Sequence, residues 1–241
     1  IMTTPDKPSG NDDTLESMYS ASEAADNLSS SEIDTSYAAT YYPWVKYYDG
    51  ENSMYINLPP TKDVVRNLAD TDNTAYPWYA PAGVVRGNVD AYKAHSMLKL
   101  DDEDDLINGR INPIKTFANE GPKVWGDLTM LSQDTPVNRI HVRRLIIRIQ
   151  KLIAIAATKL IFDPDDSTVA SQFDSLVRPI LNDIEDKRGL YDFKMTEDTS
   201  AEARDQHELP VSIMLKPTAD LEYIPITFTV TPSGVNFDDI A

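Results

Sequence analysis

The stretch from Asn138 to Ile161 constrains this chain more than any other. Val142, Leu145, Ile146, Ile149, Leu152, Ile153 and Ala156 recur at helical spacing, which predicts one long helix with a single apolar stripe. Such a stripe is stable only when another element buries it. The next segment offers a partner. After Asp163-Pro164-Asp165-Asp166, a second helix is expected from Ser167 to Asp186, with Phe173, Leu176, Val177, Ile180 and Leu181 apolar. Pro179 lies inside it and is expected to kink or interrupt it. Arg188-Gly189 closes it.

The first of these helices is also electrically unusual. Arg139, Arg143, Arg144, Arg148, Lys151 and Lys159 fall within it and no acid does, in a chain with 39 carboxylates and a formal net charge of -17. Arg144, Arg148 and Lys151 share a face opposite much of the apolar stripe. That face either pairs with the chain's own carboxylates or meets an acidic surface on another subunit. Arg143, Arg144, Arg148 and Lys151 are therefore candidate interface residues. The overall charge disfavours nucleic acid and anionic membranes as partners. No apolar run approaches the roughly 20 residues that span a bilayer as a helix.

Around the helix pair the pattern alternates. Thr14 to Leu28 forms a helix, with Asp12 or Asp13 as its N-cap. Ser36 to Val45 is rich in strand formers, and Met54 to Leu58 is a short strand. Pro59-Pro60 opens a helix through Val64, Val65 and Leu68. Asp72 to Gly83 reads as a loop holding Tyr76-Pro77-Trp78-Tyr79. Ile114–Phe117 and Lys123–Trp125 flank Asn119-Glu120-Gly121-Pro122 as a hairpin. Strands close the chain at Leu190–Met195, Leu209–Leu215 and Leu221–Thr231, the last two joined by a turn at 217–220. The class is α/β of the mixed α+β kind, with a central sheet flanked by helices and a C-terminal β-hairpin. Ile1-Met2-Thr3-Thr4-Pro5 reads as the end of a buried strand running into a turn, so the chain is expected to begin inside a larger polypeptide.

Signatures of chemistry are missing from the sequence. There is no cysteine, hence no disulfide, thiolate metal site or cysteine nucleophile. No phosphate-binding glycine loop and no nucleophile elbow occurs. The three histidines, His95, His141 and His207, stand far apart and outside any metal-ligand spacing. Asp101-Asp102-Glu103-Asp104-Asp105 lacks the alternating ligands of a calcium loop and reads as a solvated helix N-terminus. The aromatic runs Tyr41-Tyr42-Pro43-Trp44 and Tyr76-Pro77-Trp78-Tyr79 serve packing or, as the competing reading, a carbohydrate platform. No catalytic, cofactor-binding or metal residue is assigned, no cofactor is called for, and no enzyme activity is expected.

Several segments, in order, resemble the contractile tail sheath family of tailed phages, the myovirus type. Ser36-Tyr37-Ala38-Ala39-Thr40-Tyr41-Tyr42-Pro43-Trp44-Val45 is similar to the family's S-Y-A-A-x-Y-Y-P-W strand. Trp78-Tyr79-Ala80-Pro81-Ala82-Gly83 is similar to its W-x-A-P-A-G loop. Ile111-Asn112-Pro113-Ile114 with Gly121-Pro122-Lys123-Val124-Trp125-Gly126 resembles its hairpin, Lys115 replacing an Arg. Ile140-His141-Val142-Arg143-Arg144-Leu145 resembles the N-V-R-R-L start of its long helix, with His141 in place of Asn. Ile161-Phe162-Asp163-Pro164-Asp165-Asp166 resembles F-E-P-N-D, and Leu190–Phe193, Ile213–Pro217 and Ile224–Val230 resemble its closing strands.

The resemblance implies a structural subunit, the C-terminal portion of a sheath protein, in stacked hexameric rings that wind helically around a tail tube. It implies tube, baseplate and tail terminator proteins as partners, a place in the virion after assembly in the host cytoplasm, and contraction that drives the tube through the host envelope. It divides the chain into an incomplete N-terminal strand, loop and helix (1–35), a conserved inner domain (36–208) and C-terminal strands exchanged with neighbouring subunits (209–241). Leu209, Val211, Ile213, Leu215, Tyr223, Ile226, Phe228 and Val230 are the expected strand-exchange residues; some of Arg143, Arg144, Arg148 and Lys151 are expected to face the tube or a neighbouring subunit, with the following helix, Ser167–Asp186, competing for the tube-facing role. The sheath of a genome-free bacterial injection particle is the related alternative; a carbohydrate-active enzyme is the alternative of another class.

Overall fold

The computed structural model describes residues 2–3, 20–161, 167–197 and 209–220. The elements run β1 (Met2–Thr3), α1 (Ala21–Ser29), β2 (Thr40–Tyr42), β3 (Val45–Asp49), β4 (Met54–Leu58), α2 (Thr61–Thr74), α3 (Gly83–Arg86), β5 (Lys93–Ala94), α4 (Leu100–Asn108), β6 (Ile111–Phe117) and β7 (Gly121–Val124). They continue with α5 (Ile140–Thr158), α6 (Ser167–Asp186), β8 (Leu190–Glu197) and β9 (Val211–Pro217). The mixed α/β class holds, with the strands spread over three small sheets rather than one central sheet. One is ordered β1-β2-β6-β7, one β4-β3-β5 and one β8-β9.

The expected strand from Ser36 to Val45 is in fact two. Thr40–Tyr42 lies parallel between β1 and β6, whereas Val45–Asp49 pairs antiparallel with β4 and β5. Pro43, joined to Tyr42 by a cis peptide, has no N–H to continue a ladder, so the chain leaves one sheet there and enters the next. Tyr41, Tyr42 and Val45 are all buried around this junction. The hairpin of β6 and β7 forms as expected, with Ile114 opposite Val124.

Asn112 ties this region together. It is fully buried on β6. Its amide donates to Thr40 O at 3.0 Å and Leu128 O at 2.8 Å, and its carbonyl accepts from Leu128 N at 2.7 Å. The side chain thereby ties backbone groups of β2 to those of the loop after β7.

Helix α1 begins at Ser20, which caps it: Glu23 N donates to Ser20 Oγ at 3.3 Å and Ser20 N to Glu23 Oε2 at 2.9 Å. This is a capping box, and it sits well inside the expected helix from Thr14; the expected caps Asp12 and Asp13 lie outside the described residues. Ala21 and Ala24 are buried in a cluster with Tyr42, Leu106 and Ile111. The end of α4 approaches so closely that a Cβ on Gly109 would stand 2.6 Å from Ala25 Cβ. The acidic run is the N-terminal half of α4, as expected, and Asp102 accepts from Lys99 N at 2.9 Å. Glu103 differs from its neighbours: it is buried and pairs with Lys115 on β6 at 2.5 Å. Helix α2 continues to Thr74, so the loop starts later than Asp72.

The helix pair builds the largest core. Leu145, Ile149 and Ala156 of α5 meet Phe173, Val177, Leu181 and Ile184 of α6, with Trp78 and Leu190. Helix α6 is not interrupted at Pro179. The proline and Ser175, whose carbonyl loses its helical donor, are both exposed, so the missing bond falls where solvent is at hand rather than in the core. The β8–β9 ladder packs on the same core through Phe193, Met195, Val211, Ile213 and Leu215. Residues 211–217 alternate inward and outward as a half-buried strand does. Their partner is β8, and the hairpin expected with 221–231 lies outside the described residues.

Candidate functional site

Burial of the α5 stripe leaves its other side to solvent, and the cations there divide into tied and free. Arg143 is tied. Its guanidinium donates to Ser36 Oγ and, at 3.3 Å, to the Tyr37 hydroxyl, and it lies 4.4 Å from the centre of the Tyr37 ring. Arg144 is tied as well: it pairs with Asp72 on α2 and reaches Leu68 O at 3.4 Å. These two arginines fasten α5 to the segment before β2 and to α2.

Arg148 and Lys151 stand apart from them. Both are exposed, and neither has an ion-pair or hydrogen-bond partner among the described residues. They follow Arg144 by one and two turns and lead to Ile155, which is 64% exposed, and to exposed Lys159, the C-cap of α5. The spacing 148, 151, 155, 159 keeps these side chains on one face. This cation pair, beside an exposed isoleucine, is not neutralised by an ion pair among the described residues. The four sequence-predicted cations are therefore on one helix but on two kinds of surface.

A groove of about 700 Å³ borders this face, lined among others by Arg148, Leu152, Asp183, Lys187, the end of α2 from Asp72 and the loop that follows it to Trp78. Its aromatic wall is packed. Tyr76 and Trp78 stack at 4.9 Å with a 6° interplanar angle, Trp78 is buried, and its indole N–H donates to Lys187 O at 3.0 Å. Tyr41 and Tyr42 are buried too. Tyr76 and Tyr79 are half-buried and pack against the α5–α6 core.

Among the predicted strand-exchange residues, Val211, Ile213 and Leu215 of β9, and Leu209 just before it, pack on the α5–α6 core. Tyr223, Ile226, Phe228 and Val230 lie outside the described residues. In the two-stranded sheet, β8 and β9 each have one edge without a strand partner among the described residues.

One cluster escaped the sequence reading. The histidines do not meet each other: His95 contacts Asn57 at 3.0 Å, and His207 lies outside the described residues. His141, at the start of α5, instead meets Asp127 and Asp220. Burial alone would depress its imidazole, but the bonded Asp127 and nearby Asp220 raise it above the usual histidine range. Partial burial likewise holds the Asp220 carboxyl above its ordinary value. The partners are far from His141 in sequence, so spacing could not reveal them. The one signal was His141 itself, a polar ring at the head of an apolar helix.

Comparison with known proteins places this fold. Residues 132–231 match the phage tail sheath C-terminal domain. Over 219 residues, 89% of this chain, it is 31% identical to the tail sheath protein of Vibrio phage KVP40.

The chain is similar to tail sheath proteins across most of its length.

The tail sheath protein of Enterobacteria phage T4 is a further relative, 26% identical over 212 residues and 86% of this chain. The chain spans about a third of the length of these curated relatives, 32% in both cases. The fold recurs in the contracted sheath complex of an extracellular contractile injection system, PVC, with a TM-score of 0.76 at 23% identity, over 97% of this chain and 64% of that one. It recurs in the contracted helical sheath of the anti-feeding prophage, with a TM-score of 0.73 at 21% identity, over 83% of this chain and 57% of that one.

Proposed function

We infer that this chain is the polymerising part of a contractile tail sheath subunit, a structural protein rather than an enzyme. Copies assemble as stacked hexameric rings in a helix around a tail tube, and their contraction drives the tube through a host envelope. The relationship to the KVP40 tail sheath protein across 89% of the chain carries this reading. Tail tube, baseplate and tail terminator proteins are its partners, and the assembled sheath is part of a virion put together in the host cytoplasm. Identity favours a phage tail over a genome-free injection particle, at 31% to the phage protein against 23% to the PVC sheath.

The geometry supports two contacts. The face of Arg148, Lys151 and Ile155 is the candidate surface for the tube or a neighbouring subunit, where free cations meet an acidic counterpart without first breaking internal pairs. The edges of β8 and β9 that have no strand partner among the described residues suit a strand from a neighbouring subunit, because an unpaired edge offers its N–H and C=O groups to an incoming chain. A non-closing repeat of such contacts generates a helix. Negative-stain microscopy of the full-length sheath protein tests the reading. Long helical polymers or stacked rings are expected, with tubes or alone. A monomer at every concentration and salt, with tubes present, would contradict it.

A further inference from the structure

Asp127, His141 and Asp220 come from three separate stretches: the loop after β7, the first turn of α5 and the segment following β9. One ligand-type atom from each lies within 4.8 Å of the other two. Both carboxylates address the same ring nitrogen. His141 Nδ1 contacts Asp127 Oδ2 closely and stands 3.1 Å from Asp220 Oδ2. An N–H donates well along one line only, so a proton on Nδ1 serves one carboxylate and leaves the other poorly matched.

The opposite side of the ring points to what belongs there. His141 Nε2 faces Thr218 O at 3.4 Å. A carbonyl can only accept, so this contact favours the tautomer with its proton on Nε2. With Nδ1 bare, its lone pair would face two carboxylates, an arrangement that a bound cation balances, whereas a proton on Nδ1 serves only one of the two. A metal-bound imidazole commonly has this arrangement, with its second N–H given to a backbone carbonyl.

Burial supplies an independent observation. The side chains of His141 and Asp127 are 3% and 5% exposed. Asp127 Oδ1 is buried and has no hydrogen-bond partner among the described residues. A buried carboxylate oxygen without a donor is costly, and a bound dication removes that cost. A cavity of about 410 Å³ opens beside Asp220, His141 and Asn138, which gives water room to complete a coordination shell.

We propose that Asp127, His141 and Asp220 form a divalent transition-metal site of the Zn²⁺ or Mn²⁺ class, with one imidazole nitrogen and two carboxylates as ligands. One nitrogen and two hard oxygens suit these ions, and two carboxylates neutralise the dication. Bound metal joins the start of α5 to the chain leaving β9, so it staples the C-terminal segment to the core.

Isothermal titration of the full chain, stripped with EDTA and then given ZnCl₂ or MnCl₂ alone, tests the site. One ion per chain is expected, with a rise in melting temperature that grows with metal concentration. Asp220→Asn, at a half-exposed position that leaves the core intact, is expected to weaken binding by about tenfold or more. His141→Asn is expected to abolish the metal-dependent rise; circular dichroism checks that both variants fold. Co²⁺ substituted into the wild-type site gives a visible spectrum that both variants lose. No heat and no thermal shift in the wild type would overturn the proposal, as would equal binding by both variants. The cluster would then be an imidazolium clamped by two carboxylates.

Discussion

Arg144, Arg148 and Lys151 lie on one helix, yet their charge reversals should have opposite consequences. Arg144 is 17% exposed at its side chain and pairs with Asp72, itself 42% exposed. Arg144→Glu loses the pair and sets two carboxylates side by side. A charged hydrogen bond in this setting, discounted for its partial exposure to solvent, puts the cost at about 1–2 kcal/mol of folding stability. Arg148→Glu with Lys151→Glu breaks no pair among the described residues, so stability should hold to within about 0.5 kcal/mol per site. Its effect falls on assembly. Exposed ion pairs are worth about 0.2–1 kcal/mol each and reversal replaces attraction by repulsion, so the double variant should lose about 1–3 kcal/mol of tube or subunit affinity. That is roughly a 5- to 150-fold change. The loss should fade as salt shortens the Debye length from about 8 Å at 0.15 M to about 3 Å at 1 M. Urea unfolding measures the first effect, and co-sedimentation of full-length sheath with tubes at two salt concentrations measures the second. Unchanged, salt-independent co-sedimentation of the double variant would refute the assignment of this face. A double variant that unfolds as early as Arg144→Glu would refute the division into tied and free cations.

Asn112→Ala removes three hydrogen bonds at a fully buried position and should cost about 2–4 kcal/mol in urea unfolding; a cost below about 1 kcal/mol would show that the amide is not the tie described. Pro179→Ala restores a missing donor in an exposed turn of α6 and should stabilise by about 1–2 kcal/mol, the helix gain exceeding the entropy lost with proline; destabilisation would mean that the chain needs a break there. The Asp34 carboxylate accepts from Ser132 N at 2.7 Å and Ser132 Oγ at 2.8 Å, which holds its pKa below the usual value. Its contribution is present above the unfolded carboxylate pKa and is lost as pH falls through the lower folded one; NMR titration of the Asp34 carboxyl should show that depressed midpoint, and an ordinary one would remove the contact.

Helices were the legible part of this sequence, because one face of α5 and one of α6 carry a periodic apolar signal that the core then uses. The hairpin of β6 and β7 was legible from its turn. Sheet membership was not. Residues 36–45 are uniformly strand-forming, and only Pro43 marks the point where the chain changes sheets. Pairing of β9 with β8 is a matter of which distant edge packs on the α5–α6 core, which local propensity does not encode. The basic character of α5 was visible, but its partition was not. Whether an arginine is tied depends on Ser36, Tyr37 or Asp72 arriving from elsewhere. Asp127 and Asp220 reach His141 for the same reason: tertiary structure brings them there, and no spacing announces it.

Helical reconstruction by cryo-electron microscopy of the full-length sheath protein assembled on tubes tests the central claim most directly. The account predicts a helical polymer in which this chain forms the inner layer. The Arg148–Lys151–Ile155 face of α5 should be covered by the tube or a neighbouring subunit, with a neighbour's strand on an open edge of the β8–β9 sheet. Failure to polymerise, or a polymer that leaves both that face and those edges in solvent, would contradict it.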